Sequence, residues 1–146
     1  MAGPWLVYNS FRRHSMDGSI DLDDDTFFIS LYTDASNAAD MTLQVIGEVT
    51  NEVADGNGYT SGGQQLANVT WDVGSYLAEM RFSADSTQWN ASGGDIASIR
   101  YAVIWRKGAT PADDILMLNA DLGSITAADG NPFVVGPNIG GIFELN

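Results

Sequence analysis

The sequence contains no cysteine, which excludes disulfides, thiol catalysis and cysteine-based zinc sites. Histidine is limited to His14, whereas zinc sites usually draw on more than one His or Cys. Basic residues are scarce: 6 Lys and Arg stand against 19 Asp and Glu, a net charge of −13. Such a chain repels phosphate backbones, and nucleic-acid binding would need a local basic patch. The adjacent pairs Arg12-Arg13 and Arg106-Lys107 are too few for that patch, so no nucleic-acid partner is expected. Either pair suits an acidic protein partner instead. No apolar run approaches the roughly 20 residues that span a bilayer, and no membrane partner is expected. The start MAGPWLVYNSFRRH has no basic region ahead of an apolar one, so it does not read as a signal peptide.

What is present suits one domain spanning residues 1–146. At this length a fold buries roughly 70% of the surface that its unfolded chain exposes, enough for a core without covalent staples. The acids favour the first half: residues 1–73 carry 11 acids and 2 bases, residues 74–146 carry 8 and 4. High charge of one sign keeps a protein soluble at high local density.

Pro4, Trp5, Leu6, Tyr8 and Phe11 predict a short helix over residues 4–16, with Gly18 as its stop. An acidic turn, SIDLDDD, leads into TFFISLYT, Thr26 to Thr33, whose branched and aromatic residues predict a strand. Residues 34–40 read as a loop, and Met41 to Val53 is open between short helix and strand because Gly47 interrupts a four-residue apolar step. Ala67–Val73 and Tyr76–Ala84 predict a hairpin across Gly74-Ser75. Asn90–Asp95 reads as a turn, and Ile96–Arg106 is the strongest core strand. Further strands are expected at Ile115–Leu122, Phe133–Val135 and Gly140–Leu145, with a turn at Asp129-Gly130-Asn131-Pro132. Many short strands separated by turn signals predict an all-β sandwich or barrel with a short N-terminal helix.

Chemistry-bearing patterns are thin. Asp21, Asp23 and Asp25 imitate the start of a calcium loop, but the sixth position holds Thr26 rather than Gly and the twelfth holds Tyr32 rather than Glu. A looser divalent-cation site and a solvated acidic turn both stay open. His14 lies four residues after Ser10, yet there is no G-x-S-x-G elbow, and a surface position beside Arg12 and Arg13 explains it more simply. The acids sit in turns, away from apolar settings that raise a carboxyl pKa for acid–base work. No enzyme activity, cofactor or metal is expected. Trp71 and Trp105 lie within apolar strands and read as core, whereas Trp89 follows a polar run and reads as an exposed aromatic suited to an interface or, with the tyrosines, to a sugar platform.

The densest local signal is NEVADGNGYTSGGQQL, Asn51 to Leu66, with four glycines in the eight positions from Gly56 to Gly63. It has neither the lysine of a phosphate-binding loop nor a strand-to-helix setting. Its glycines suit positive φ and close backbone approach. Tyr59 is expected to pack against a neighbouring element or subunit while Gly58, Gly62 and Gly63 set the backbone path.

Taken in order, the blocks WLVYNSFRRHSMDG, SIDLDDDTFFISLYT, TNEVADGNGYTSGGQQL, WDV, FSADSTQWNASGGDIASIRYAVIWRKG and LNADLGSITAADGNPFVVGPNIGGIFELN resemble a family of small tailed-phage structural proteins. The resemblance rests on Asn51-Glu52-Val53, Gly56 to Gly63 with Leu66, Ile99 to Trp105, Asp121 to Gly130 and Gly141 to Leu145, and it covers nearly the whole chain. The region from Thr33 to Ile46 departs from the family pattern. The resemblance implies a capsid decoration, or cement, protein with a jelly-roll-like β-sandwich. It would sit on the outer head surface with the major capsid protein as partner and would self-associate, as a trimer first and a dimer second. A tail or neck component is the alternative. Tyr59, Gly58, Gly62, Gly63, Trp89, Arg12 and Arg13 are the candidate interface residues. Lack of cysteine fits synthesis in a reducing bacterial cytoplasm, and the family supplies no catalytic residues.

Overall fold

The structure, a computed structural model, describes residues 5–73, 80–136 and 143–145. The described elements are β1 (Leu6–Val7), α1 (Asn9–Met16), β2 (Thr26–Thr33), β3 (Gln64–Gln65), β4 (Thr70–Val73), β5 (Met80–Ser83), β6 (Thr87–Asn90), β7 (Ile96–Lys107), β8 (Ile115–Ala127), β9 (Pro132–Val135) and β10 (Phe143–Leu145). Strand pairing is antiparallel throughout. The main sheet runs β1-β8-β7-β2-β3, with a three-stranded sheet β10-β5-β4 and a two-stranded sheet β6-β9. The result is an all-β architecture of sandwich type with one short helix among the described residues.

The long hairpin β7–β8 and its neighbour β2 form the centre, and both of their faces are covered. Phe27, Ile29 and Leu31 of β2, with Ala102 and Ile104 of β7, share one core with Phe82 of β5, Trp89 of β6, and Phe133 and Val135 of β9. Phe27 meets Phe82 edge-on with ring centroids 5.4 Å apart. The alternate residues Tyr32, Val103, Trp105 and Leu116 face the opposite way and are covered by Tyr8 and by Ala38, Met41, Leu43, Ile46 and Val49. Strands buried on both faces need apolar residues at consecutive positions rather than strict alternation, which is why β7 and β8 read as YAVIW and ILML.

A bulge completes this arrangement. Ile104 pairs with Leu118 and Trp105 with Leu116, which leaves Met117 without a partner on β7. The extra residue lets Met117 and Leu118 both enter the first core while Leu116 faces the second.

Several sequence expectations hold. β2 has the predicted bounds, β4 and β5 pair as expected but over fewer residues and with Val73 opposite Met80, a register that does not fit a turn of Gly74-Ser75 alone, and the strands after residue 95 lie close to where expected, with β8 running on to Ala127. The turn Gly74-Ser75, with Tyr76, and residues 140–142 of the terminal strand lie outside the described residues, as does Pro4. Three expectations are corrected. The helix begins at Asn9, not at residue 4, because Leu6 and Val7 pair with Leu118 and Asn119 of β8 and the Tyr8 amide donates to the Met117 carbonyl at 2.9 Å. It ends at Met16, with Gly18 at φ +80° just beyond, as expected. Met41–Val53 is neither helix nor strand but a cover with one 3-10 turn at Ile46–Glu48. Its backbone is held by the Leu116 amide of β8, which donates to the Gln44 carbonyl, by the Asp114 carbonyl, which accepts from the Ile46 amide, by the Asp40 carboxylate and by the Asn37 side chain. The polar run ahead of Trp89 is part of a strand, β6, which takes in Asn90, expected as the first residue of a turn.

Leu116 is fully buried beneath this cover. Leu116→Ala is expected to cost about 2–5 kcal/mol through lost burial and a residual cavity. Val134→Ala, at a half-exposed site, should stay within about 0.5 kcal/mol. Urea unfolding of the two variants beside the parent chain checks both.

Candidate functional site: the glycine-rich connector

β2 lies inside the main sheet on its β7 side, but its other edge has only the two-residue partner β3. The segment from Asn51 to Leu66 completes that edge in two passes. On the first pass the Thr33 amide donates to the Asn51 carbonyl at 2.9 Å and the Val53 amide to the Leu31 carbonyl at 3.0 Å. On the second, Gln64 and Gln65 pair with Ile29 and Phe28, and the Leu66 amide donates to the Phe27 carbonyl at 2.8 Å. Between the passes the chain arches away over residues 54–63.

Tyr59 returns from this arch to close the gap. Its hydroxyl accepts from the Leu31 amide at 3.0 Å and donates to Glu52 Oε1 at 2.7 Å. The same carboxylate oxygen accepts from the Gly62 amide at 2.6 Å. The Gly62 carbonyl accepts from Ser30 Oγ at 2.7 Å, and Ser30 Oγ in turn accepts from Trp105 Nε1 at 2.9 Å. One hydrogen-bonded chain therefore runs from the Trp105 indole on one face of the sheet to the Leu31 amide at its edge. Burial pushes the Tyr59 phenol well above its ordinary value, with the Glu52 carboxylate adding to the effect.

Two of the glycines are sterically required. A Cβ on Gly63, at φ +78°, would lie 1.9 Å from the Ile29 carbonyl oxygen, and one on Gly58, at φ +96°, would lie 2.0 Å from that of Asn90. Gly62, at φ +91°, has open space around it and is needed for its conformation alone. The close approach of Gly58 docks the arch on the 90–95 turn. There the Ser92 amide donates to the Asn57 carbonyl and Asn57 Nδ2 to the Asp95 carbonyl, each at 3.1 Å. Gln64 Nε2 adds a bond to the Gln88 carbonyl at 2.8 Å. The connector thus joins the edge of the main sheet to β6 and to the turn that follows it.

The structure brings together Tyr59, Gly58, Gly62, Gly63 and Trp89, and it leaves Arg12 and Arg13 elsewhere. Tyr59 packs within its own chain, with 2% of its surface exposed. The expectation that Trp89 is exposed is overturned. It is 1% exposed, its ring lies between Tyr59 and Phe133 at centroid distances of 6.1 and 6.3 Å, and its indole N–H has no hydrogen-bond partner among the described residues. A polar spacing such as TQWN conceals a strand whose inward residues are Thr87 and Trp89. The sugar-platform reading loses Trp89, Tyr59 and Trp105, all buried, while Tyr76 lies outside the described residues. Arg12 and Arg13 are exposed on α1. The other basic pair is committed: Arg106 bonds the Ser19 and Asp113 carbonyls and pairs with Asp25 at 3.3 Å, and Lys107 lies 3.7 Å from Asp114.

The remaining chemical candidates make contacts within the chain. Ser10 donates to the Leu116 carbonyl at 2.8 Å, and His14 Nδ1 sits 3.6 Å from Asp17. Asp21 accepts the Asp23 and Asp24 amides, and Asp25 accepts the Asp21 amide. Among the described residues no group of three His, Cys, Asp or Glu side chains is placed to hold a metal ion. No described helix is long and apolar enough to cross a membrane. What sequence reasoning missed is Glu52: it is a polar residue inside a polar motif, and only the return of Tyr59 and Gly62 to one of its oxygens reveals its place.

Tyr59→Phe is expected to cost about 1–3 kcal/mol, because it leaves the buried Leu31 amide and Glu52 without their shared partner; chemical unfolding reads this directly. Gly63→Ala should destabilise more than Gly62→Ala in the same measurement, since only the former collides with backbone. A third outcome concerns acid. Hydrogen bonds from the Ser19 and Thr42 hydroxyls and amides hold the Asp17 and Asp40 carboxyls low, and the Arg100 side chain does the same for Asp121. Carboxyls depressed in the folded state contribute stability above their unfolded value of about 3.9, and that stability is lost as pH falls through the lower folded values. The melting temperature should therefore fall below about pH 4, and the triple variant Asp17→Asn/Asp40→Asn/Asp121→Asn should show a shallower decline. No family model, curated protein or solved structure matches this chain.

Proposed function

We propose that this protein is a structural component of a tailed-phage particle: a capsid decoration protein that binds the major capsid protein on the outer head surface and strengthens contacts between capsomers. The observation that carries this reading is the ordered series of sequence blocks, centred on the connector, that resembles small virion structural proteins. The geometry of the connector supports it. The residues of the central motif are spent on sealing a sheet edge and locking two layers together, which is what a rigid scaffold requires. The carboxylates support it too. Asp17, Asp21, Asp25, Asp40, Asp55, Asp95, Asp114 and Asp129 each accept a backbone amide in a turn or loop, a use of acids that holds loops rather than performs catalysis.

In this reading the sandwich is of jelly-roll type, the loops at its ends meet the shell, and the protein self-associates as a trimer or a dimer on the particle. Strong acidity keeps it on the exterior, away from packaged DNA. No cofactor takes part. A tail or neck position is the alternative and is decided by the same experiment. Purified protein added to heads that lack it should co-sediment with them and raise the temperature at which they release DNA. Failure to bind heads, together with labelling confined to tails in electron micrographs, would overturn head decoration in favour of the tail.

A further inference from the structure

A second region of the molecule carries an inference about how copies of the chain meet. Between the C-terminal half of α1 and the acidic turn lies an open groove of about 490 Å³. Phe11 and Ile20, 2% and 7% exposed, form its floor with Leu22, and Met16 stands at its rim with 90% of its surface exposed. Asp21 and Asp23 complete the lining. A methionine this exposed beside an apolar depression is an anchor without a socket, and a flexible thioether adapts readily to irregular pockets.

The charges around the groove identify what fits it. Arg100 pairs with Asp121 at 2.9 Å and Asp34 at 3.5 Å, and Arg106 and Lys107 are held by Asp25 and Asp114. Arg12 and Arg13, by contrast, are exposed and have no carboxylate within 4.0 Å among the described residues. Arg12 sits four residues before Met16, on the same side of α1. Across the groove, Asp21, Asp23 and Asp24 have no described cation within the same distance. The groove therefore combines an apolar knob, an apolar hole and the carboxylates of Asp21 and Asp23, and the helix that carries the knob also carries Arg12, which no described carboxylate pairs, and Arg13, which is drawn in part to Asp17. A surface complementary to itself is what a two-fold, isologous contact requires.

We propose that this face is a self-association surface, on which Met16 of each copy enters the groove of the other while Arg12 and Arg13 meet the acidic turn. On a surface with a net charge of −13, the exposed arginine pair marks a place where two copies attract. The contact names a surface for the self-association in the reading above and selects two-fold over three-fold symmetry. It stands or falls without reference to a particle.

Sedimentation equilibrium of the full chain, from about 1 μM to about 1 mM, reads the association of a contact of this modest size. A monomer–dimer equilibrium is expected. Met16→Glu and the pair Asp23→Lys/Asp24→Lys should each raise the dimer dissociation constant at least about tenfold, the factor set by each 1.4 kcal/mol. All three positions are exposed, and unchanged circular dichroism spectra and melting curves will verify folding. Combining Arg12→Asp/Arg13→Asp with Asp23→Lys/Asp24→Lys should restore the dimer, because both halves of the contact reverse together. A wild-type chain that stays monomeric, forms trimers, or dimerises equally well with Met16→Glu overturns the proposal. So does a charge swap without rescue.

Discussion

The structure depends on one hydrogen bond that is not part of any ladder: the Leu31 amide of β2 to the hydroxyl of Tyr59. β2 belongs to the middle of the sandwich by its side chains, which face both apolar cores, but its second edge has no full strand beside it. A buried edge amide needs a partner, and an open edge is a template for pairing with other chains. The connector resolves both demands with a phenol held in place by Glu52. The glycines follow from that solution, since the backbone must run almost against the Ile29 carbonyl to bring Tyr59 home.

The same economy governs the acids. A net charge of −13 suggests a surface decorated with solvated carboxylates, yet many of these groups accept backbone amides, in local turns at Asp17, Asp21 and Asp40 and across loops at Asp55, Asp95 and Asp114. Local turns of this kind compete well with regular structure because a short acidic side chain reaches amides two or three residues on. Charge and loop geometry are therefore carried by the same atoms. The acidic turn at Asp21–Asp25 shows this most clearly: its first and last carboxylates bind the turn's own backbone, and Arg106 ties Asp25 to the end of β7.

Legibility in the sequence followed the range of the interactions. TFFISLYT and IASIRYAVIWR declared themselves as strands because both faces of each are apolar or aromatic over many residues. The helix start was misplaced because Trp5 to Val7 have ordinary helical spacing, and only β8, more than a hundred residues later, draws Leu6 and Val7 into a sheet. Trp89 looked exposed because its neighbours in sequence are polar, whereas its neighbours in space are Tyr59 and Phe133. Glycine positions in the connector were legible as backbone constraints. The role of Glu52, which depends on the Tyr59 hydroxyl and the Gly62 amide converging on one oxygen, was not.

The pairing of β1 with β8 also sets an order of events. Leu6 opposite Asn119, and Ser10 bonded to the Leu116 carbonyl, join the first segment of the chain to one made much later. Non-local pairings of this kind slow folding, because loop closure must precede any gain from contact. At typical synthesis rates the partner of β1 emerges roughly 5–20 s after it. Throughout that interval the N-terminal strand and the apolar side of α1 have no β8 to rest on. β2 waits in the same way for β7, so the first third of the chain has no sheet to join until the long hairpin that it flanks has been made.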